Sequence, residues 1–301
     1  MVSSISEILK NSNYENCIFN SSYKKKLDDE GYCLLPPDKS YWDWIGSKPE
    51  EIRKVINSLI NKEGFAAGSE GKEEFTIKKG KKIENGAVRL GNLLNKNKLF
   101  SKIATLPDIV LASHEIIQDE IKLSSILFRQ PKPNGDEQEI HMDWEPRLNS
   151  DESFDDVVSF LYLEDANELN GATKVIPRSH KKLGYPNQHI NPHLKHPDEI
   201  TIEAKKGSIL ILNALTWHKG GANKSGEDRG IIVIDYRKRN HKQLLNLKMY
   251  IDKETIDNFN ENEKYLFGLR KEDVFQKERS FGPGAKYKKW LEENPKFNYK
   301  K

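Results

Sequence analysis

A two-sheet β sandwich or barrel, with helices packed outside it, is the fold this 301-residue sequence predicts. Three observations carry the prediction. Between residues 122 and 236, short strand-like runs recur every ten to twenty residues, with Gly, Asn and Pro between them. That rhythm belongs to an all-β core. Val157-Val158-Ser159-Phe160-Leu161-Tyr162-Leu163 is apolar on both faces, the mark of a central buried strand. Before and after this region, apolar residues fall at helical spacing instead, and no internal repeat or low-complexity tract interrupts the chain.

In chain order, Gly31 to Leu35 reads as a short strand closed by Pro36-Pro37. Residues 49–61 carry Ile52, Val55, Ile56, Leu59 and Ile60 at helical spacing, and Pro49-Glu50-Glu51 suits a first turn. The Gly- and Lys-rich segment 64–82 reads as a loop. Leu93, Leu94, Leu99 and Ile103 predict a helix ending before Pro107, and Pro107-Asp108 opens another to about Gln118. Lys122 to Arg129 is a strand, followed by a turn at Pro131, Pro133 and Asn134-Gly135. Residues 139–143 form a short strand in this reading. Ala172 to Ile176 is another, between the Asn170-Gly171 turn and Pro177. Ile200 to Glu203, Ser208 to Asn213 and Gly230 to Tyr236 complete the series. From Lys242 the pattern is helical again, through Leu244, Leu245, Leu247 and Tyr250. Residues 1–301 are expected to form a single domain. Its β core spans about 120–240, its helical N-terminal support about 50–118, and its C-terminal helical extension 241–301.

Charged residues make up 32% of the chain and apolar residues 36%, a polar but globular balance. With 49 basic and 46 acidic residues the net charge is only +3, which gives no electrostatic footprint for nucleic acid. The basic runs at 24–26 and 78–82 are short and read as solvated faces or loops. Cys17 and Cys33 are too few for a disulfide framework. No basic start followed by an apolar run marks a signal peptide, and no stretch approaches eighteen apolar residues. The expectation is a soluble, cytoplasmic protein that contacts neither membrane nor nucleic acid; nothing in the sequence sets an oligomeric state.

The chemistry gathers around His141-Met142-Asp143. Residues i and i+2 of a strand point to one side, so His141 and Asp143 can face one metal while Met142 turns away. His-x-Asp alone is common, and its bland reading is a surface histidine beside a turn aspartate. His218 changes the odds. It follows a buried strand and is flanked by Gly220 and Gly221, where backbone can approach a ligand closely. Two histidines and a carboxylate with open positions are the ligand pattern of non-haem ferrous oxygenases. Arg229 comes eleven positions after His218, just before Ile231-Ile232-Val233-Ile234. A guanidinium at the mouth of an apolar strand is costly unless it meets an anion, and its planar fork fits a carboxylate. The competing reading is an edge arginine paired to Glu227 or Asp228.

At these residues the sequence resembles the phytanoyl-CoA dioxygenase-like branch of the iron(II)/2-oxoglutarate-dependent oxygenases, over roughly 85–240. The resemblance is carried by Leu123-Ser124-Ser125 through Arg129, Pro131 and Gly135 to His141-x-Asp143. Asn170-Gly171-Ala172-Thr173-Lys174-Val175-Ile176-Pro177-Arg178-Ser179-His180 and Trp217-His218-Lys219-Gly220-Gly221-Ala222-Asn223 with Arg229 also carry it. It implies a double-stranded β-helix, or jelly roll, with iron(II) on His141, Asp143 and His218. It also implies 2-oxoglutarate on that iron with its far carboxylate on Arg229. Phe160 and Thr173 should line the co-substrate site, and Gln138 should hydrogen-bond it. The implied reaction consumes O2 and 2-oxoglutarate, releases succinate and CO2, and hydroxylates a C–H bond; desaturation or ring formation remain open. Related halogenases replace the carboxylate ligand with a small residue, so Asp143 points to the hydroxylating type. Two departures stand out. Arg178 occupies a turn position where the family often has glycine. Gly220 replaces a serine common in some members, so that the corresponding co-substrate hydrogen bond is either missing or supplied by Asn223.

Substrate contacts are less legible. Trp144, Glu145 and Arg147 follow the metal pair and can rim the pocket, and Arg89 is a further anion-contact candidate. Residues 181–199 hold His189, His193 and His196 but no cysteine; a flap over the pocket is the better reading than a zinc site. The substrate class that fits is a small polar metabolite or natural-product intermediate. The alternatives are an oxygenase acting on a protein side chain or nucleobase, and a non-catalytic 2-oxoglutarate- and metal-binding scaffold.

Overall fold

The strand β4 (Asp156–Tyr162) is buried along its whole length, as its doubly apolar sequence requires. A computed structural model, which describes residues 4–11, 17–63, 87–273 and 283–299, places this strand near the middle of a six-stranded sheet. The segment 64–82, read above as a loop, lies outside the described residues. The sheet contains β1 (Tyr32–Leu35), β2 (Ala87–Leu90), β3 (Ile121–Pro131), β4, β7 (Ile209–Asn213) and β9 (Ile231–Lys238). Its order is β1-β7-β4-β9-β3-β2, with every pairing antiparallel. A second, three-stranded sheet holds β5 (Thr173–Val175), β6 (Ile200–Thr201) and β8 (His218–Gly220), in the order β6-β5-β8.

The two faces of the larger sheet do different work. On one, Val158, Phe160 and Tyr162 of β4, Leu210 and Leu212 of β7 and Ile231 of β9 pack with Ala172, Val175, Ile202 and Ala204 from around the smaller sheet. The site lies between these two layers. On the other face, Val157, Leu161, Ile209, Ile211, Ile232, Ile234 and Tyr236 join helical residues in one cluster. The helices are α4 (Pro49–Glu63), which brings Ile52 and Ile56, α5 (Leu99–Ala104), which brings Phe100 and Ile103, and α6 (Pro107–Ile117), which brings Ile109 and Val110. Each such fully buried side chain is worth roughly 1.5–3 kcal/mol. Exposed pairs such as Lys25–Asp29 are screened by solvent and add little, so apolar burial holds the helical layer in place.

One helix end reaches the site indirectly. α2 (Ser21–Glu30) starts at Asn20, whose side chain accepts from the Ser22 and Tyr23 amides, and ends at Gly31 in the left-handed region, φ 85°. A Cβ on Gly31 would lie 2.4 Å from both His180 Nδ1 and Thr216 Oγ1. The close approach lets Thr216 Oγ1 donate to the Gly31 carbonyl at 2.7 Å, which anchors the turn that leads into His218.

Three elements differ from the sequence expectation. The helix expected across 93–103 is a 3-10 turn at Leu93–Asn95 followed by α5, because the Asn97 side chain accepts from the Leu99 amide and restarts the chain there. Residues 139–143 do not form a strand. Only His141 bridges, to His218, while the Ile140 amide donates to Pro192 and the Asp143 amide to Ala214. The C-terminal helical pattern starts at Leu247, since Gln243 Nε2 donates to the Leu123 and Phe267 carbonyls and the Leu244 amide to Ser124 Oγ. Cys17 and Cys33 are both free thiols. No helix of the described residues is long and apolar enough to cross a membrane.

Candidate metal centre and active site

Between the two sheets lies a cavity of about 350 Å³. His141, Asp143 and His218 all line it, and one ligand atom from each lies within 4.8 Å of the others. His218 Nε2 is 3.3 Å from Asp143 Oδ2, and His141 Nε2 is 3.8 Å from Asp143 Oδ1. The two histidines are clamped by a reciprocal backbone pair: the His141 amide donates to the His218 carbonyl at 2.9 Å, and the His218 amide returns the bond at 2.8 Å. The Nδ1 atoms of His141 and His218 face the Glu139 and Thr216 carbonyls, each at 2.9 Å. A carbonyl only accepts, so each Nδ1 carries a hydrogen and each Nε2 is the ring nitrogen turned toward the common point. That donor set, two imidazole nitrogens and one carboxylate, fits a first-row divalent metal.

Burial works against the charged form of His218, but the Asp143 carboxylate beside it prevails and raises its affinity for a proton. Burial pushes the Asp143 carboxyl up, but the imidazole of His218 beside it prevails and holds it below the usual carboxylate range. Burial, reinforced by His218, lowers His141 to about 4, so it is neutral and able to ligate at neutral pH. The His141 and Asp143 side chains keep 29% and 35% exposure, and both line the cavity.

Arg229 is fully buried, and its Nε, Nη1 and Nη2 have no hydrogen-bond partner. Neither Glu227 nor Asp228 takes it: Asp228 binds Arg53 at 2.7 Å instead. Burial lowers its affinity for its proton, while Tyr162 and Glu164 act against that. The Tyr162 hydroxyl is likewise buried without a partner, next to Arg229 and to Thr173. Neither Arg229 nor Tyr162 lines the cavity itself, whereas Thr173, the neighbour of Tyr162, and Ile231 do. A fully desolvated guanidinium with three idle donors is the signature of an anion's seat.

The other expected residues divide. Phe160 lines the cavity, its ring centre 6.3 Å from that of His218, and Thr173 lines it opposite Gly220 of β8. Gln138 lines it too, with Oε1 accepting from the Gly220 amide at 2.9 Å, so its carbonyl end is already used. Arg89 lies across from Arg129 in the β2–β3 register, and both line the cavity. Trp144 lines it beneath the guanidinium of Arg237, 4.6 Å from its ring centre. Arg147 is placed elsewhere. Its guanidinium covers Phe154 at 4.3 Å and donates to the Ser150 and Glu152 carbonyls, which holds the 147–152 loop. Asn223 is also committed: it donates to the Glu227 carbonyl and accepts from Ser225 and Gly226, shaping its own turn.

The histidines of 181–199 are each tied to nearby chain. His189 Nε2 meets the Leu183 carbonyl, His193 Nε2 the Tyr299 carbonyl, and His196 Nδ1 accepts from the Asp198 amide. Among the described residues the three form no metal-ligand cluster. That loop does reach the cavity through Tyr185 and Pro186, and it is clasped by the C-terminal segment containing α10 (Pro283–Glu293). Tyr185 packs on Tyr287 and Trp290 at 5.1 and 4.6 Å between ring centres, Trp290 stacks on Phe297, and Asn187 Nδ2 donates to the Phe297 carbonyl. Sequence reasoning missed Tyr162, Asp235, Arg237 and Tyr287. For Tyr162 a signal existed: it shares the parity of Phe160 along β4.

An antiparallel two-layer core with a His-Asp-His centre and a buried arginine defines the class of iron- and 2-oxoglutarate-dependent oxygenases. The chain belongs to the phytanoyl-CoA dioxygenase (PhyH) family, whose model matches residues 27–231. A probable alpha-ketoglutarate-dependent hypophosphite dioxygenase of Stutzerimonas stutzeri is 22% identical over 224 residues, 69% of this chain and 77% of that protein. Dioxygenase FUM3 of Gibberella moniliformis is 34% identical over 70 residues, 23% of this chain and only 21% of that protein. Among solved structures, HygX from Streptomyces hygroscopicus, with nickel and 2-oxoglutarate bound, has a TM-score of 0.59 at 13% identity, covering 77% of this chain and 92% of that one.

Proposed function

We propose that this protein is an iron(II)- and 2-oxoglutarate-dependent dioxygenase that hydroxylates a C–H bond of a small polar metabolite or natural-product intermediate, releasing succinate and CO2. In this reading the fold is a double-stranded β-helix and the whole chain is one catalytic domain. His141, Asp143 and His218 hold the iron. Bound there, iron with 2-oxoglutarate and O2 supplies the oxidising power for C–H cleavage. The chain's own residues supply the geometry. Two Nδ1–H···O=C bonds fix the ring orientations, and the reciprocal backbone pair fixes the spacing of the histidines. Three protein ligands leave the remaining positions open for co-substrate and oxygen. Arg229 and Tyr162 receive the far carboxylate of 2-oxoglutarate, with Thr173 and Phe160 along its flank and Gln138 beside it.

The single observation that carries the reading is Arg229, fully buried with all three of its side-chain nitrogens unsatisfied. A cavity of about 350 Å³ shared with a five-carbon diacid leaves room for a small second molecule only. The near-balanced net charge of +3 gives no electrostatic footprint for a nucleic acid. The test is anaerobic loading of the full chain with ferrous iron and 2-oxoglutarate, read by the visible charge-transfer band of the chelate. Oxygen is then admitted with a metabolite pool and succinate is measured. The parent should form the band and release succinate, and His141→Ala and Asp143→Ala should do neither. Equal turnover by both variants would refute the site.

A further inference from the structure

The cavity floor ends, on the side away from Arg229, in a group of buried charges. β9 turns Ile231, Val233, Asp235 and Arg237 toward the cavity. Asp235 lies in register between Ser125 of β3 and Val158 of β4, and Asp156 lies opposite Arg237. Arg237 Nη2 is 2.8 Å from Asp156 Oδ2 and 2.9 Å from Asp235 Oδ2, and Nη1 donates to the Lys242 carbonyl at 2.7 Å. With one face on Trp144, this guanidinium is committed to the protein. The carboxylates are not fully met. Asp235 is 6% exposed and faces the Asp156 carboxyl and Ser124, yet its Oδ1 has no hydrogen-bond partner; the same holds for Oδ1 of Asp156, which lies outside the cavity wall.

Two carboxylates against one guanidinium leave one negative charge over when both are ionised. Burial and the neighbouring carboxylate push Asp156 well above the usual range, and burial pushes Asp235 up as well. A surplus buried charge is costly until a proton or a cationic partner meets it. Of the two acids only Asp235 can meet a partner from the cavity. We infer that Asp235 is a specificity-determining residue that receives a protonated amine of the primary substrate, so that the enzyme acts on small amine-bearing molecules. The inference rests on the oxygenase reading above. Register sets the distance over which it works. Val233 pairs with Phe160, which neighbours His218, and Asp235 lies two residues further along β9, about 7 Å. An amine held at Asp235 therefore sits further along the cavity face than Phe160 and His218, with the rest of the molecule extending toward the metal centre.

The test uses the full chain with zinc in place of iron and 2-oxoglutarate present. Binding of pentylammonium, 1-pentanol and pentanoate is compared by ligand-observed NMR in the same samples that report 2-oxoglutarate binding. Pentylammonium should bind at least tenfold more tightly than either of the others, and Asp235→Asn should reduce that preference below twofold. Equal or tighter binding of 1-pentanol or pentanoate to the parent would overturn the inference, as would a preference that survives in Asp235→Asn. The comparison on the parent alone decides the matter if the variant does not fold. Failure of 2-oxoglutarate to bind overturns the oxygenase reading and is scored separately from the amine preference.

Discussion

Replacing Arg229 by Met should stabilise the ligand-free protein and remove most of the stabilisation that 2-oxoglutarate confers. Arg229 is fully buried and none of its nitrogens is partnered, so the ligand-free parent carries an uncompensated charge. Met fills much of the same volume without the charge, and exchanging a buried charge for an apolar group stabilises by about 1–4 kcal/mol in favourable cases. With 2-oxoglutarate the balance shifts by about 2.3 kcal/mol toward the parent. At a ligand concentration of about 100 times Kd the parent gains about 2.7 kcal/mol. Losing a charge-assisted contact worth about 3 kcal/mol weakens binding by more than 100-fold, so the variant gains less than about 0.4 kcal/mol at that concentration. At roughly 2–4 °C per kcal/mol, the ligand should raise the parent's melting temperature by about 5–10 °C and leave the variant's nearly still. The assay is calorimetry with manganese held constant while 2-oxoglutarate is titrated. Two results would refute the reasoning. One is a ligand-free variant destabilised by about 3–5 kcal/mol, the cost of breaking a buried pair, which would mean Arg229 already has its partner. The other is an unchanged response to 2-oxoglutarate.

Two further outcomes follow from features outside the metal centre. His180 is 1% exposed and burial lowers it to about 4, so between pH 6.5 and 4 the unfolded chain takes up the proton and the folded one does not. Stability is therefore lost as pH falls through that window, by about 3 kcal/mol from this residue, and urea titrations of parent and His180→Gln should show the variant's pH slope flattened there. Ending the chain before Pro283 removes Tyr287, Trp290 and Phe297 from the 181–199 loop; hydrogen exchange of that loop should rise by tenfold or more while β4 and β9 stay protected.

How far the sequence foretold the site depended on where each residue sits in its element. His141 and Asp143 were readable because a spacing of two suggests a shared direction, yet no strand forms there. The segment keeps its direction through separate backbone bonds to His218 and Ala214, which no local pattern encodes. Arg229 was readable from its place before an apolar run. Tyr162 was hidden inside a run buried on both faces, where only parity with Phe160 separates site from core. Asp235 and Arg237 were hidden for the opposite reason: alternating with Ile234 and Tyr236, they resemble the solvent face of an edge strand, and only the second sheet makes that face interior. Arg147 shows the reverse error, since nearness in sequence to Asp143 is undone by the turn that aims it at Phe154.

The two-faced character of β9 has an evolutionary consequence. Its even-numbered residues, Ile232, Ile234 and Tyr236, belong to the helix-backed core, while its odd-numbered residues from 231 to 237 look onto the reaction cavity. Selection for a new substrate can therefore rewrite one register of the strand while the other preserves foldability. A short stretch of this kind lets ligand preference diverge along a lineage without first passing through unstable intermediates.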